Sequence, residues 1–323
     1  MIYYRIHDGV TKDNKPKFKL IDKSRNIVTD TKVLEYIKSL VIPPAYQNVS
    51  IFYEKNPKIL FEGFDDKGRK QQIYSASHKK KAMSKKFCQL LDFGDVLSKI
   101  ETDIKKYMSS KPTKNKIIAL IIKIVMICGF RIGNLKYQKL YNSFGISNIL
   151  KSHIKINKSM NIKFIGKKGV LNECEITDKS LIDEINNLIS KKKSSDYVFT
   201  YNADGIETVI TALEINNWLK SYHESITSKM FRTWDTNLLF IEYMRLQEDP
   251  VTLPISKRKK NIVEAMKKIS GQINNTPCVC KSQYLHIDLW TMYLEEPKTY
   301  KKHFNTDVSA KTAFLGYLKD FCS

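Results

Sequence analysis

Residues 117–128 constrain the fold most, because apolar side chains occur almost all the way around this segment. A helix with that pattern has no polar face, so the sequence predicts a helix buried inside a helical domain. Extended to Phe130, the apolar run contains Lys123 and is too short to span a bilayer. Helical patterns also occur further along, at residues 213–222, 234–245, 262–270 and 281–294.

The beginning of the chain follows a β pattern instead. Residues 48–54 have the composition of a strand, and residues 58–64 and 69–74 flank the turn Asp65-Asp66-Lys67-Gly68. This turn chemistry predicts a hairpin. Residues 33–40 predict a short helix that ends before two prolines. We therefore expect an α+β protein, with a β-rich N-terminal domain over residues 1–80 and a larger, mainly helical domain over residues 81–323.

Two further segments have more than one interpretation. Residues 78–86 are strongly basic and are either a DNA-facing linker between the domains or a solvated helix face. Residues 161–165 and 170–176 predict two strands around the turn Gly166-Lys167-Lys168-Gly169. A single hairpin inside a helical domain is unusual, and hairpin tips often hold functional side chains.

Charge is the first clue to a partner. Lys and Arg number 55 against 33 Asp and Glu, for a formal net charge of +22. Such a surface attracts polyanions, and nucleic acid is the leading candidate because each neutralised phosphate releases bound counterions. The alternative is a Lys-rich composition of an AT-rich genome, without selection for DNA binding.

Cysteine spacing and the N-terminus bear on the compartment. The six cysteines form no CxxC pair and no zinc spacing, so free thiols in a reducing compartment are expected. The first ten residues contain no apolar signal core. We therefore expect an intracellular protein without a membrane segment.

Several basic residues stand at positions where they could meet a phosphate. Arg131 ends the buried helix, unless it only caps the last carbonyls. Lys167 lies at the hairpin tip, where a solvated turn lysine is the alternative. Lys229 and Arg232 share one helix face, and two neighbouring cations repel unless an anion lies between them.

The last candidate segment combines an amide and a phenol. Asn275 and Thr276 can open a helix whose first residue is Pro277. Tyr284 then lies about two turns along that helix, where a half-buried core tyrosine is the simpler interpretation. Each of these signals is weak when it is taken alone.

Their combination and order resemble the catalytic domain of type IB DNA topoisomerases, in the compact form of poxviruses, other large DNA viruses and some bacteria. The resemblance extends to RIGN, NSFGISNI, FRTW and NTPCVCKSQY, and to VIPPAY and DKGRKQQIY near the N-terminus. Tyrosine recombinases share this logic but usually carry His at the position of Lys229. A DNA-binding protein that has lost activity is the other alternative, and the intact set of candidate residues argues against it.

The resemblance implies the fold of the tyrosine recombinase/type IB topoisomerase type and a set of roles. Tyr284 would attack a DNA phosphodiester and hold the 3′-phosphate. Arg131 and Arg232 would stabilise the transition state, and Lys167 would protonate the leaving 5′-oxygen. Asn275 would donate a hydrogen bond to a phosphoryl oxygen. No metal, ATP or other cofactor is implied.

It also implies how DNA is bound: a single chain would clamp around double-stranded DNA, in the cytoplasm or nucleus, or in a virion or viral factory if the source is a virus. The residues expected at DNA are Arg69, Gln71, Gln72, Tyr74, Lys136, Tyr137 and Lys229. In this chain Asn275 replaces the poxvirus His, and Gln72 replaces an aromatic residue. Asn274 replaces a usual Gly, with little expected consequence.

Overall fold

The structure is a computed structural model that describes residues 1–11 and 13–323. The chain divides into two compact units, Met1–Lys86 and Phe87–Ser323. No helix among the described residues is both long enough and apolar enough to cross a bilayer. The expected α+β class, with β structure first and helices after it, is confirmed.

The first unit is built on an antiparallel sheet with strand order β2-β1-β3-β4-β5. Its strands and its helix are β1 (Ile2–Val10), β2 (Pro16–Ile21), α1 (Thr31–Ser39), β3 (Gln47–Phe52), β4 (Ile59–Phe64) and β5 (Lys70–Tyr74). The predicted strand at 48–54, the hairpin and the short helix are confirmed. Strands β1 and β2 were not predicted.

Alternating apolar residues hold this unit together. Val33 and Ile37 of α1 are buried in one cluster with Tyr3, Val49, Ile51 and Phe61 of the sheet. Asp30 begins α1, because its side chain accepts hydrogen bonds from the backbone N–H groups of Lys32 and Val33.

The basic segment 78–86 belongs to a long helix, α2 (Ala76–Met108), which begins in the first unit and continues into the second. Of the two interpretations, the structure supports the solvated helix face. Lys, Ala and Met favour helix and no proline interrupts them, so helical propensity continues across the segment. Its lysines at positions 79, 80, 81 and 85 are exposed on the helix.

The second unit is mainly helical and contains the buried helix α3 (Lys114–Cys128), as predicted. Residues 117–122 of α3 are each at most 2% exposed. The other helices are α4 (Leu135–Tyr141), α5 (Lys179–Ile189), α6 (Ala212–Lys220), α7 (Lys229–Arg245), α8 (Ile255–Gln272), α9 (Pro277–Gln283), α10 (Ile287–Glu295), α11 (Pro297–Phe304) and α12 (Ala310–Cys322).

Two small sheets interrupt the helices of the second unit. Strands β6 (Ile154–Ile156), β7 (Met160–Ile165) and β8 (Leu171–Ile176) form one sheet, and β9 (Thr200–Ala203) pairs with β10 (Ile206–Val209) in the other. The predicted hairpin is β7–β8, but it is not isolated, because β6 pairs with β7. The β9–β10 hairpin, around Asp204 and Gly205, was not predicted.

One predicted helix and the predicted free thiols were wrong. The segment 281–294 is two helices, the end of α9 and α10, with a bend at residues 284–286. Disulfides join Cys88 to Cys322 and Cys128 to Cys174, and Cys278 and Cys280 stay free. The paired cysteines are 234 and 46 residues apart, so local spacing could not reveal them.

Candidate active site

The site is built around the bend between α9 and α10. Thr276 caps α9, with Pro277 in its first turn, and Tyr284 ends it with a non-helical backbone. The buried amide of Asn237, on α7, donates to the Tyr284 carbonyl at 2.9 Å and accepts from the His286 N–H at 2.8 Å. Both backbone groups released by the bend are thereby satisfied, so α7 fixes the position of Tyr284.

Tyr284 is 5% exposed and lies among cations. The Arg232 Cζ is 5.2 Å from the centre of its ring, and the Lys229 Nζ is 6.0 Å from it. Arg131 also approaches the hydroxyl closely enough to act on its charge state. The structure therefore brings together Tyr284, Arg131, Arg232 and Lys229, four of the residues predicted from the sequence.

These charges change the acidity of the phenol. Burial by itself raises the pKa of Tyr284, but the positive charges of Arg232 and Arg131, with their hydrogen-bonding contacts, outweigh it. The pKa of Tyr284 consequently lies below its ordinary value of 10.0. The site thus favours the phenolate that a nucleophile needs.

Arg232 is 2% exposed, which is unusual for an arginine. Its Nη1 donates to the carbonyl of Gly129, the residue that ends α3. Arg232 acts on the Tyr284 hydroxyl through both its charge and a hydrogen-bonding contact, while its Nε and Nη2 have no partner of normal hydrogen-bond geometry among the described residues. Buried donors without such bonds are costly unless a ligand accepts from them.

Arg131 lies just beyond α3, in a loop held by close backbone packing. Its carbonyl accepts from the Ile146 N–H at 2.9 Å, and the Gly133 N–H donates to the Ser147 hydroxyl at 3.1 Å. A side chain on Gly133 would come within 1.7 Å of the Asn148 Oδ1, so only glycine fits there. The cap on the last turn of α3 is Arg232 rather than Arg131.

Lys167 lies at the exposed tip of the β7–β8 hairpin. The chain turns through Lys168, with φ of 64°, and Gly169, with φ of 73°. The end of β7 is held at its carbonyl, where Ile165 accepts from the Phe144 N–H at 2.9 Å. The tip thus presents Lys167 to solvent from an anchored hairpin.

Asn275 lies between α8 and the cap of α9. Its Oδ1 accepts from the Thr276 N–H at 3.0 Å. Its Nδ2 is buried and has no hydrogen-bond partner within residues 1–11 and 13–323. A buried amide donor without a partner, one helix before Tyr284, can donate to an incoming anion.

The remaining candidates lie on exposed surfaces. Lys136 and Tyr137 are exposed on α4, which Asn134 caps, and the Tyr137 ring stacks on Tyr141 with 6.0 Å between centroids. An exposed aromatic pair beside lysines is suited to a nucleic-acid surface.

In the first unit the candidates lie along β5 and its turn. Gln72 donates to Glu62 at 2.9 Å and accepts from the Tyr74 hydroxyl at 2.8 Å. Arg69 and Gln71 both donate to Asp65, at 2.8 and 2.9 Å. Gln72 and Tyr74 therefore share one face of β5.

Two residues of the site were missed by the sequence reasoning. Asn237 had no local motif, because its role depends on a bend 47 residues away. Asn274 was noted as a departure with little consequence, yet its side chain makes two long-range hydrogen bonds. The signal that the sequence offered was the position of Asn274 directly before the candidate Asn275.

The sequence matches known proteins over most of the chain. A sequence model described as "Eukaryotic DNA topoisomerase I, catalytic core" matches residues 75–308, and one described as "Bacterial DNA topoisomerase IB, N-terminal domain" matches residues 17–65.

Individual relatives give the same result. DNA topoisomerase 1B of Acanthamoeba polyphaga mimivirus is 32% identical over 288 residues, covering 86% of this chain and 84% of that protein. DNA topoisomerase 1B of vaccinia virus (strain Copenhagen) is 24% identical over 296 residues, covering 90% and 88%. With the core model matched over most of the chain, this protein belongs to the type IB DNA topoisomerase family and is an isomerase of that type.

Proposed function

We propose that this topoisomerase relaxes supercoiled double-stranded DNA by nicking one strand through Tyr284, letting the strand rotate, and resealing it. The observation that carries the proposal is the meeting of Arg131 and Arg232 at the buried hydroxyl of Tyr284. A phenol whose pKa is lowered by two arginines is suited to attack a phosphate and to leave again.

In the proposed step the Tyr284 oxygen loses its proton to solvent and bonds to phosphorus. The bond from phosphorus to the 5′-oxygen breaks, which leaves a 3′-phosphotyrosyl bond and a free 5′-hydroxyl. One phosphodiester is exchanged for another of similar energy, so the chemistry needs neither ATP nor a metal. Religation is the same step in reverse.

The arginines and Asn275 stabilise the charge that gathers on the non-bridging oxygens. The Nε and Nη2 of Arg232 and the Nδ2 of Asn275 are buried donors without hydrogen bonds of normal geometry in the described residues. A phosphoryl group would accept from them, and a preorganised donor in such a site contributes about 10²–10³ in rate. Asn275 acts only as a donor, because an amide carries no charge near neutral pH.

Lys167 gives its proton to the leaving 5′-oxygen. An alkoxide is about as basic as hydroxide, so its departure needs an acid, a role that contributes about 10²–10⁴ in rate. Lys167 fits because it stands at an exposed hairpin tip that can reach into DNA.

Base and backbone contacts would come from both units. Arg69, Gln71, Gln72 and Tyr74 read bases, since arginine and glutamine pair with guanine and adenine edges. Lys136, Tyr137 and Lys229 hold the backbone, together with the overall charge of +22. We propose that one chain acts alone, on DNA inside the cell.

Plasmid relaxation in EDTA without nucleotide tests the function. Positively and negatively supercoiled plasmids should both relax, because stored torsion drives strand rotation. A strict requirement for magnesium or ATP would show that the proposed reaction is wrong.

A second experiment isolates Lys167. When sulfur replaces the 5′-bridging oxygen of the DNA, the leaving group is a thiolate. A thiol has a pKa near 8.5, so the thiolate departs without a general acid. Lys167→Ala should cleave normal DNA about 10²–10⁴-fold more slowly but cleave the sulfur substrate near the wild-type rate. If Lys167→Ala cleaves both substrates equally slowly, Lys167 is not the general acid.

A further inference from the structure

Asn274 lies where three distant parts of the second unit meet. It follows α8 and has a left-handed backbone, with φ of 50°. Its Oδ1 accepts from the backbone N–H of Glu173 at 3.1 Å, and its Nδ2 donates to the carbonyl of Cys128 at 3.3 Å. These partners are 101 and 146 residues away along the chain, so the amide makes tertiary rather than local contacts.

Each of the three parts carries a residue of the proposed reaction. Glu173 is in β8, whose hairpin with β7 has Lys167 at its tip. Cys128 is the last residue of α3, just before the loop of Arg131. Asn274 itself directly precedes Asn275 and the helix that ends at Tyr284.

We propose that Asn274 is a positioning residue, whose amide fixes the Lys167 hairpin against the segments that carry Arg131 and Tyr284. The inference rests on the proposed function, because it assumes that Lys167 must reach the same phosphate as the other residues. The role is not catalytic, since Asn274 is occupied on both of its polar atoms by backbone groups.

The geometry explains why an amide is suited to this position. Asparagine tolerates a left-handed backbone better than most residues, and its side chain offers one donor and one acceptor at the same time. The Cys128–Cys174 disulfide joins the same two segments, one residue from Glu173. Two independent links therefore hold the base of the hairpin beside the end of α3.

Asn274→Gly is the cleanest perturbation, because glycine adopts positive φ readily and removes only the amide. Misplacing a reacting group by about 1 Å can cost about 10²-fold in rate. With the disulfide still present, we expect about tenfold slower cleavage of normal DNA. Asn56→Gly, at an exposed asparagine that also has a left-handed backbone, is the control and should cleave at the wild-type rate.

The sulfur substrate separates positioning from general damage. If Asn274 acts through Lys167, Asn274→Gly should cleave the 5′-bridging sulfur substrate near the wild-type rate, as Lys167→Ala does. Asn274→Asp keeps the acceptor for Glu173 but loses the donor to Cys128, so its defect on normal DNA should also be rescued by sulfur. Since rescue needs a folded site, the same assay shows that both variants are folded.

Two results would overturn the inference. One is a wild-type rate for Asn274→Gly on normal DNA, and the other is an equal loss on both substrates. If Lys167→Ala is rescued by sulfur and Asn274→Gly is not, only the positioning role fails. If Lys167→Ala is not rescued either, the fault lies in the proposed function.

Discussion

The Cys128–Cys174 disulfide should contribute measurably to stability, and Cys174→Ser removes it. The bond closes a loop of 46 residues. In the chain-entropy treatment, a loop of that length restricts the unfolded state by about 4 kcal/mol at 25 °C. Cys174 is only half-buried, so serine leaves little void and the effect comes mainly from the lost bond.

Urea unfolding under non-reducing conditions is the assay. With an m-value of about 2–3 kcal/mol/M, a loss of about 4 kcal/mol lowers the midpoint by roughly 1–2 M. Cys278→Ser is the matched control, because Cys278 is free and exposed, and its midpoint should not move. If the free energy of unfolding of Cys174→Ser lies within about 1 kcal/mol of the wild-type value, the disulfide does not stabilise the protein in this way.

Three further predictions concern charge and base recognition. Arg131→Ala should raise the pKa of Tyr284 and move the pH–rate profile of cleavage to higher pH; an unchanged profile would contradict the charge argument. Gln72→Ala should change site preference more than the salt dependence of binding, and equal weakening on all sequences would mean backbone contact only. Burial raises the pKa of Asp235 from 3.8 to about 7, against an opposing effect of Arg232. Its contribution to stability is therefore complete below about pH 4 and is lost as pH rises through 7, at up to about 1.4 kcal/mol per pH unit. Asp235→Asn should flatten that slope in urea titrations between pH 4 and 7, and an unchanged slope would exclude Asp235 as its source.

Elements whose signals are local could be predicted from the sequence. Each of these signals is contained in one short stretch of sequence. Examples are the apolar surface of α3, the turn of the β4–β5 hairpin and the glycines of the β7–β8 turn. The order of Arg131, Lys167, Arg232 and Tyr284 along the chain was also visible.

What depended on distant contacts was not visible. The apolar pattern continues from residue 281 to 294, whereas the break at Tyr284 is stabilised by the distant Asn237 amide on α7. The disulfides join cysteines that no spacing rule pairs. Asn274 has the local signature of a helix end, while its side-chain hydrogen bonds go to the distant Glu173 and Cys128.

As the proposed nucleophile, Tyr284 should form a covalent bond to the 3′-phosphate of a nicked strand. The most direct measurement traps the protein on duplex DNA labelled at either the 5′ or the 3′ end of the cleaved strand. We expect the 5′-end label to stay with the protein, the 3′-end label to be released, and Tyr284→Phe to bind DNA but form no adduct. A retained 3′-end label, or an adduct formed by Tyr284→Phe, would show that Tyr284 does not hold the 3′-phosphate.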